Sequence, residues 1–360
     1  MTYFHSSYGA PRKKKNRFKK FLWSFFFVLL FAVAGIAYFA YGVIYKPNVW
    51  TADGKALTIK IPTGSDYEDL KKILFENGLI IHRNNFEWVV DYKKFGGTIK
   101  PGNYEINNGL SNNELINLLR SGNQTPIKVI FNNIRDISHL AQKVSPQIEA
   151  DSASLVNYIY SKEFFAKTSS DSSDVGMFFI PNTYELYWNT SAEGFANRMF
   201  DEYDKFWNTK RTTLANKMGF SIKEVITLAS IIEKETQKNT EKATIAGVYI
   251  NRLKSKWLLQ ADPTLLYVLN DPSIKRVLNI HMEIDSPYNT YKHLGLPPGP
   301  ICIPSVSTID AVLNYDRNDY YFFCAKDDLS GYHVFASGIA QHNRNAKKYR
   351  KALNKLKIYK

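Results

Sequence analysis

Residues 21 to 45 contain no charged side chain and are dominated by Phe, Leu, Val, Ala and Ile. As a helix rising 1.5 Å per residue, such a run is about 36 Å long, enough to cross a hydrocarbon layer of about 30 Å. The pattern then changes. Leu57, Ile59 and Ile61 alternate as in a half-buried strand, Pro62-Thr63-Gly64 marks a turn, and Ser65 with Glu68 reads as a capping box opening a helix with Leu70, Ile73 and Leu74 on one face. Gly78 closes that helix, and a second helical stretch carries Phe86, Val89 and Val90. Lys100-Pro101-Gly102 turns into a strand with Tyr104 and Ile106, and Ser111 with Glu114 caps a further helix ending at Gly122.

From Ile127 the pattern is longer and mostly helical. Ile127, Val129 and Phe131 read as a strand, and helices are expected near 135–144, 152–160, 192–208, 222–236 and 241–254. The segment from Tyr320 to Ala325 reads as a strand and Gln341 to Leu356 as a basic helix. The fold class is therefore α+β: an apolar helix that can span a membrane, a small α+β domain over 55–123 and a larger, mainly helical α+β domain over 125–358. The order strand, two helices, strand in the smaller domain is similar to a LysM-type carbohydrate-binding module.

Charge sharpens the first element. Of the formal +14, eight basic residues and no acid lie in residues 1–46, which leaves 39 basic against 33 acidic residues, or +6, on the remainder. The cluster Arg12, Lys13, Lys14, Lys15, Arg17, Lys19 and Lys20 precedes the apolar run, and only Lys46 immediately follows it. The positive-inside rule then makes 1–20 a cytoplasmic basic tail, 21–45 a single-pass transmembrane helix, and the rest extracytoplasmic, which in a cell with two membranes is the periplasmic side of the inner membrane. A cleaved signal peptide is the alternative, since Ala32-Val33-Ala34 resembles a cleavage site, but the apolar run continues to Ile44. No zinc-finger, RRM or homeodomain pattern accompanies the charge, so nucleic acid is not an expected partner. Two cysteines, Cys302 and Cys324, exclude a disulfide scaffold; they are either small buried apolar groups or one bridge.

One carboxylate stands out against the helical pattern. At about 100° per residue from Ile222, the apolar Val225, Ile226, Ala229 and Ile232 share a face, and Glu233 falls within about 20° of its centre. Glu235 falls at about 220°, with Glu224, where an exposed or paired acid is ordinary. A carboxylate among apolar neighbours either finds a cation or keeps its proton and becomes a general acid. The spacing leaves both open. HExxH, GxSxG, P-loop and GxGxxG motifs are absent, and the seven histidines have no metal-ligand spacing, so neither a metal nor a cofactor is expected.

The segments LASIIEKET, AGVYINRL, LQADPTLLY, YNTY, GLPPGPI and GYHVFASGIAQHN occur in an order that resembles the YceG-like family of endolytic murein transglycosylases, over roughly residues 55 to 355. The resemblance implies cleavage of the MurNAc–GlcNAc bond of nascent peptidoglycan strands to leave 1,6-anhydroMurNAc ends. It makes the first Glu of the EKE segment, Glu233, the acid and then the base, and it suggests peptidoglycan synthases as partners. Rival readings are a non-catalytic peptidoglycan-binding scaffold and a hydrolytic muramidase using a second carboxylate, Asp262 or Glu235.

The other motif residues form a candidate sugar-binding set. Gln260 lies just before Asp262, which either caps a helix ahead of Pro263 or binds sugar. Asn289 and Tyr291 offer an amide and a ring for a sugar, Tyr187 a further ring, and His342 and Asn343 match the terminal motif.

Overall fold

The computed structural model describes residues 17–97, 99–271, 273–274 and 276–356, with Met1 and Gly9 besides; the basic residues Arg12 to Lys15 lie outside them. Two compact units divide at Thr125 and Pro126.

The first unit begins with α1 (Arg17–Tyr45), whose side chains are exposed from Arg17 to Phe39 and which is long and apolar enough to cross a membrane. Its last turns enter the small domain. The Asn112 side chain donates to the Val43 carbonyl at 2.8 Å and accepts from Asn48 at 2.7 Å, satisfying groups that burial would otherwise leave unpaired. Beyond it come β1 (Leu57–Ile61), α2 (Tyr67–Glu76), α3 (Arg83–Tyr92), β2 (Gly102–Ile106) and α4 (Asn112–Ser121). The strands pair antiparallel, with Ile59 opposite Tyr104, and bury Ile59, Ile61, Tyr104 and Ile106 against Leu70, Leu74, Phe86 and Leu115. The cap of α2 corrects the expectation by one residue: Asp66, not Ser65, accepts from the backbone N–H of Asp69, and Asp69 returns the bond. The Ser111–Glu114 box forms as read, and Gly122 ends α4 at φ 72°, a left-handed conformation that favours glycine.

The second unit opens with β3 (Ile127–Phe131), followed by α5 (Ile137–Val144), α6 (Ser152–Ile159), α7 (Lys162–Thr168) and β4 (Asn182–Leu186), which pairs antiparallel with β3. Then come α8 (Ala192–Phe206), α9 (Thr209–Met218) and α10 (Ile222–Glu235). Next are α11 (Lys242–Lys254), α12 (Asp262–Leu269), α13 (Asn279–Met282) and α14 (Val306–Leu313). A hairpin of β5 (Phe322–Ala325) and β6 (His333–Ala336) leads to α15 (Ile339–Lys355).

At the centre lies α10. Its Ser221–Glu224 capping box fixes the start, and Val225 through Ile232 are buried on every side. Each fully buried Ile or Leu there contributes about 1.5–3 kcal/mol relative to exposure. Helices α9, α11, α12 and α14 all pack on it. Gly247 allows the chain at Asp316 to lie directly on α11, since a Cβ there would run into the Asp316 carbonyl oxygen. Both cysteines are free thiols, and Cys302 is buried with its Sγ 3.4 Å from the Ser230 carbonyl oxygen, so the bridged alternative is not the state of this structure.

Candidate active site

The last turn of α10 carries two glutamates with opposite environments. Glu233 Oε2 accepts from the Ser305 hydroxyl at 2.8 Å, the Lys242 ammonium at 3.1 Å and the Thr308 hydroxyl. Lys242, only 5% exposed in its side chain, also donates to Thr308 at 2.6 Å. Burial pushes the Glu233 carboxyl up, but the hydroxyls of Thr308 and Ser305 and the cation of Lys242 outweigh it and hold the group below the usual carboxylate range. Of the two states the spacing leaves open for Glu233, these surroundings favour the one paired with a cation. It is an ionised knot joining α10, α11 and α14.

Glu235 has the character expected of its neighbour. It is half-buried, and no ammonium or guanidinium donates a hydrogen bond to it among the described residues. Tyr249 of α11, itself 1% exposed, donates its hydroxyl to Glu235 Oε1 at 2.5 Å. Burial raises the carboxyl to about 7; Tyr249 and the more distant Arg252 oppose this, while the negative charge of Asp262 adds to it. Burial and Glu235 both push the Tyr249 phenol far up, so it remains a donor at neutral pH. A carboxylic acid that titrates near neutrality can both give and take a proton.

Glu235 and Tyr249 line a cleft of about 390 Å³. Gln260, Asp262, Tyr291 and His342 line it too, so four of the residues picked from the motifs converge on Glu235 rather than on Glu233. Gln260 holds a left-handed backbone at φ 47°, strained for a residue with a Cβ, and is anchored by its N–H to the Thr290 carbonyl at 3.0 Å. Asp262 does not act as the helix N-cap: α12 starts at Asp262 itself after Ala261, and no side chain caps it. Its carboxylate instead accepts the Tyr291 hydroxyl at 2.5 Å, which favours the site reading over the capping one. His342 of α15 stacks on Phe322 at 5.3 Å, and burial with Arg252 nearby lowers its pKa, leaving it neutral. Its Nδ1 is buried without a hydrogen-bond partner in this structure.

Three expected residues stand elsewhere. Asn289 is wholly buried and its amide is consumed by the chain: Nδ2 donates to the carbonyls of Met282 at 2.9 Å and Ile284 at 2.7 Å, and Oδ1 accepts the Tyr291 N–H at 2.9 Å. It holds the loop that presents Tyr291, and both of its N–H donors are spent there. Tyr187 and Asn343 are exposed and do not line the cleft.

Sequence reading missed Tyr249, Arg252 and the aromatic pair Phe322 and Phe323. Arg252 ties the walls together, its Nε donating to the Tyr321 carbonyl at 2.7 Å and its Nη1 to the Leu259 carbonyl at 2.6 Å. A signal for Glu235 did exist. Leu228, Ile231 and Glu235 follow the i, i+3, i+7 spacing of one helical face, and the first two are fully buried.

The pattern of the YceG-like family matches residues 59–348. A Bacillus subtilis (strain 168) protein named endolytic murein transglycosylase is 30% identical over 328 residues, covering 86% of this chain and 89% of that one. A Streptococcus pneumoniae (strain D39) protein of the same name is 27% identical over 363 residues, covering 91% of this chain and 64% of its own length. The crystal structure of a yceG-like protein from Listeria monocytogenes superposes with a TM-score of 0.55 at 28% identity, over 81% of this chain and 98% of that one. With the family pattern spanning most of its length, both domains included, the chain belongs to the YceG-like family.

Proposed function

We propose that the chain is a membrane-anchored endolytic lytic transglycosylase of peptidoglycan, with Glu235 as its acid and base. The names of the relatives supply the reaction class. The observation that carries the residue assignment is the Glu235 carboxyl, raised to about 7 and opening on a cleft beside Asp262, Gln260 and Tyr291. Glu235 protonates the glycosidic oxygen as the MurNAc C1–O bond breaks, releasing the GlcNAc 4-hydroxyl. The resulting carboxylate takes the proton of the MurNAc C6 hydroxyl, whose oxygen closes on C1. No water is consumed, and Glu235 ends protonated as it began. The cleft's aromatic side chains, Tyr291, Phe322 and Phe323, offer ring faces for sugars, and Gln260 an amide for hydroxyl or acetamido groups.

The α1 helix supports the anchor, and the basic residues before it support a cytoplasmic N-terminus with both domains on the outer face of the membrane. The β-α-α-β order of the small domain supports the reading as a LysM-like glycan-binding module.

Asp262 favours one rival. Two carboxylates in one cleft are also what a hydrolytic muramidase uses. Mass spectrometry of sacculi digested by the full chain in detergent separates the two: the lytic reaction leaves muramyl ends lighter by one water than hydrolysis does. Hydrolytic ends alone would replace the lytic mechanism.

A further inference from the structure

We propose that a second pocket, beside the catalytic cleft, holds the peptide arm of the muramyl residue that is cut, so that peptide-bearing strands are the preferred substrate. The inference rests on the reading of Glu235 as acid and base. The pocket has a volume of about 260 Å³; Pro263, Leu266, Tyr267 and Ile301 line it together with the polar Arg135, Asp136, Lys234 and Asn270.

Its position follows from chain neighbours. Glu235 lines the cleft and Lys234 the pocket; Asp262 lines the cleft and Pro263 the pocket. The last turn of α10 and the first turn of α12 therefore border both spaces. On the substrate, the peptide is carried by a lactyl ether on C3 of the same muramyl ring whose C1 is attacked. An extended peptide advances about 3.3–3.6 Å per residue, so three or four residues reach past a helix about 10 Å across.

The chemistry of the lining fits that arm better than it fits another sugar. Pro263, Leu266 and Ile301 form an aliphatic wall suited to small alkyl side chains such as those of alanine. The Tyr267 ring leans on Tyr288 at 4.9 Å, tilted by 43°, and keeps part of its surface exposed to the pocket. The Asp136 carboxylate is neutralised by Arg135 at 2.7 Å and caps α5 through the His139 N–H. Lys234 is exposed and has no ion-pair partner among the described residues, so its ammonium supplies the net charge of the rim. Stem peptides carry free carboxylates. An adjoining space lined by Ser172 and Ser173 shares Arg135, Asp136 and Tyr267 with the pocket and lengthens it, although the Ser173 hydroxyl is already donated to Asp171 at 2.6 Å.

The test compares uncrosslinked glycan strands with intact peptides against the same strands stripped by an amidase, using the full chain in detergent and its Lys234→Glu variant. Release of anhydro ends should favour the peptide-bearing strands about tenfold in kcat/KM, and Lys234→Glu should bring the ratio close to one. Equal rates on both substrates by the unaltered chain, or a loss of equal size on both in the variant, would overturn the proposal; the latter would make the pocket a sugar subsite. Binding of a disaccharide-peptide and of the bare disaccharide to Glu235→Gln, measured by calorimetry, keeps the two readings apart. A peptide-dependent gain that Lys234→Glu abolishes upholds the pocket even if no anhydro ends are ever formed, and no such gain sinks it even if they are.

Discussion

The hydroxyl of Tyr249 donates to Glu235 at 2.5 Å, while two residues earlier on the same helix Glu233 accepts from the ammonium of Lys242 at 3.1 Å. Two hydroxyls and an ammonium at Glu233, against a single phenol at Glu235, decide which glutamate can hold a proton near neutral pH. A buried phenol donates without bringing a positive charge, so burial dominates at Glu235; the cation and hydroxyls dominate at Glu233.

Removing one side of the Glu233–Lys242 pair should be costly. Glu233→Ala or Lys242→Ala each leaves a buried partner uncompensated and should lower stability by about 3–5 kcal/mol. The double change Glu233→Leu with Lys242→Met should recover much of that loss. Chemical denaturation of the four proteins checks this; additive losses would mean that the pair is not coupled.

Stability should also report the Glu235 proton. Its folded pKa, about 7, lies above the ordinary glutamate value of 4.5, so the folded state binds the proton more tightly. The stability it contributes is full below about 4.5 and is lost as pH rises to about 7. Glu235→Gln removes that dependence, and relative to the unaltered chain it should gain on the order of 3 kcal/mol between pH 4 and pH 8. Glu233 acts in reverse, its contribution being present above the unfolded pKa and lost on acidification, so Glu233→Gln should flatten the acid limb. Thermal melts across pH decide both.

The pH–rate profile should move in opposite directions for two neighbours of Glu235. The Asp262 charge raises the Glu235 pKa and the Tyr249 hydrogen bond lowers it. Asp262→Asn should therefore shift the alkaline limb of kcat/KM to lower pH and Tyr249→Phe to higher pH. Shifts of the same sign would contradict the assignment of the limb to Glu235.

Asn289→Ala should destabilise by about 2–4 kcal/mol, because it strands the Met282 and Ile284 carbonyls in a buried loop. It should also impair turnover by releasing Tyr291. A calorimetric melt that is unchanged would show that the amide does not hold the loop.

Much of the scaffold was legible because local chemistry specifies it. The boxes Ser111–Glu114 and Ser221–Glu224 form as the spacing implies, and Ile127, Val129 and Phe131 lie in a strand. Helices α7, α9, α13 and α14 and strands β4 and β6 escaped notice. α9 buries only Ala215 and so has no apolar stripe to read, and β4 buries only Tyr184 and Leu186. The missing α14 had a further effect. It contributes Thr308, with Ser305 just ahead of it, and without these and Lys242 the phase of α10 cannot tell a paired glutamate from a protonated one. A helix buried on all sides has no solvent face against which to place an acid. The motif residues Gln260, Asp262, Tyr291 and His342 did converge, but around the second glutamate. Asn289 was misjudged because an amide's partners in a loop are tertiary information.

The most direct measurement is the rate at which purified full-length Glu235→Gln and Glu233→Gln chains release anhydromuramyl ends from sacculi, followed by mass spectrometry beside the unaltered chain. Loss of an acid and base should cut the rate of Glu235→Gln by about 10²–10⁴ with the fold intact by circular dichroism, whereas Glu233→Gln should lose stability and keep measurable turnover. Full activity in Glu235→Gln, with activity abolished in a folded Glu233→Gln, would contradict the account.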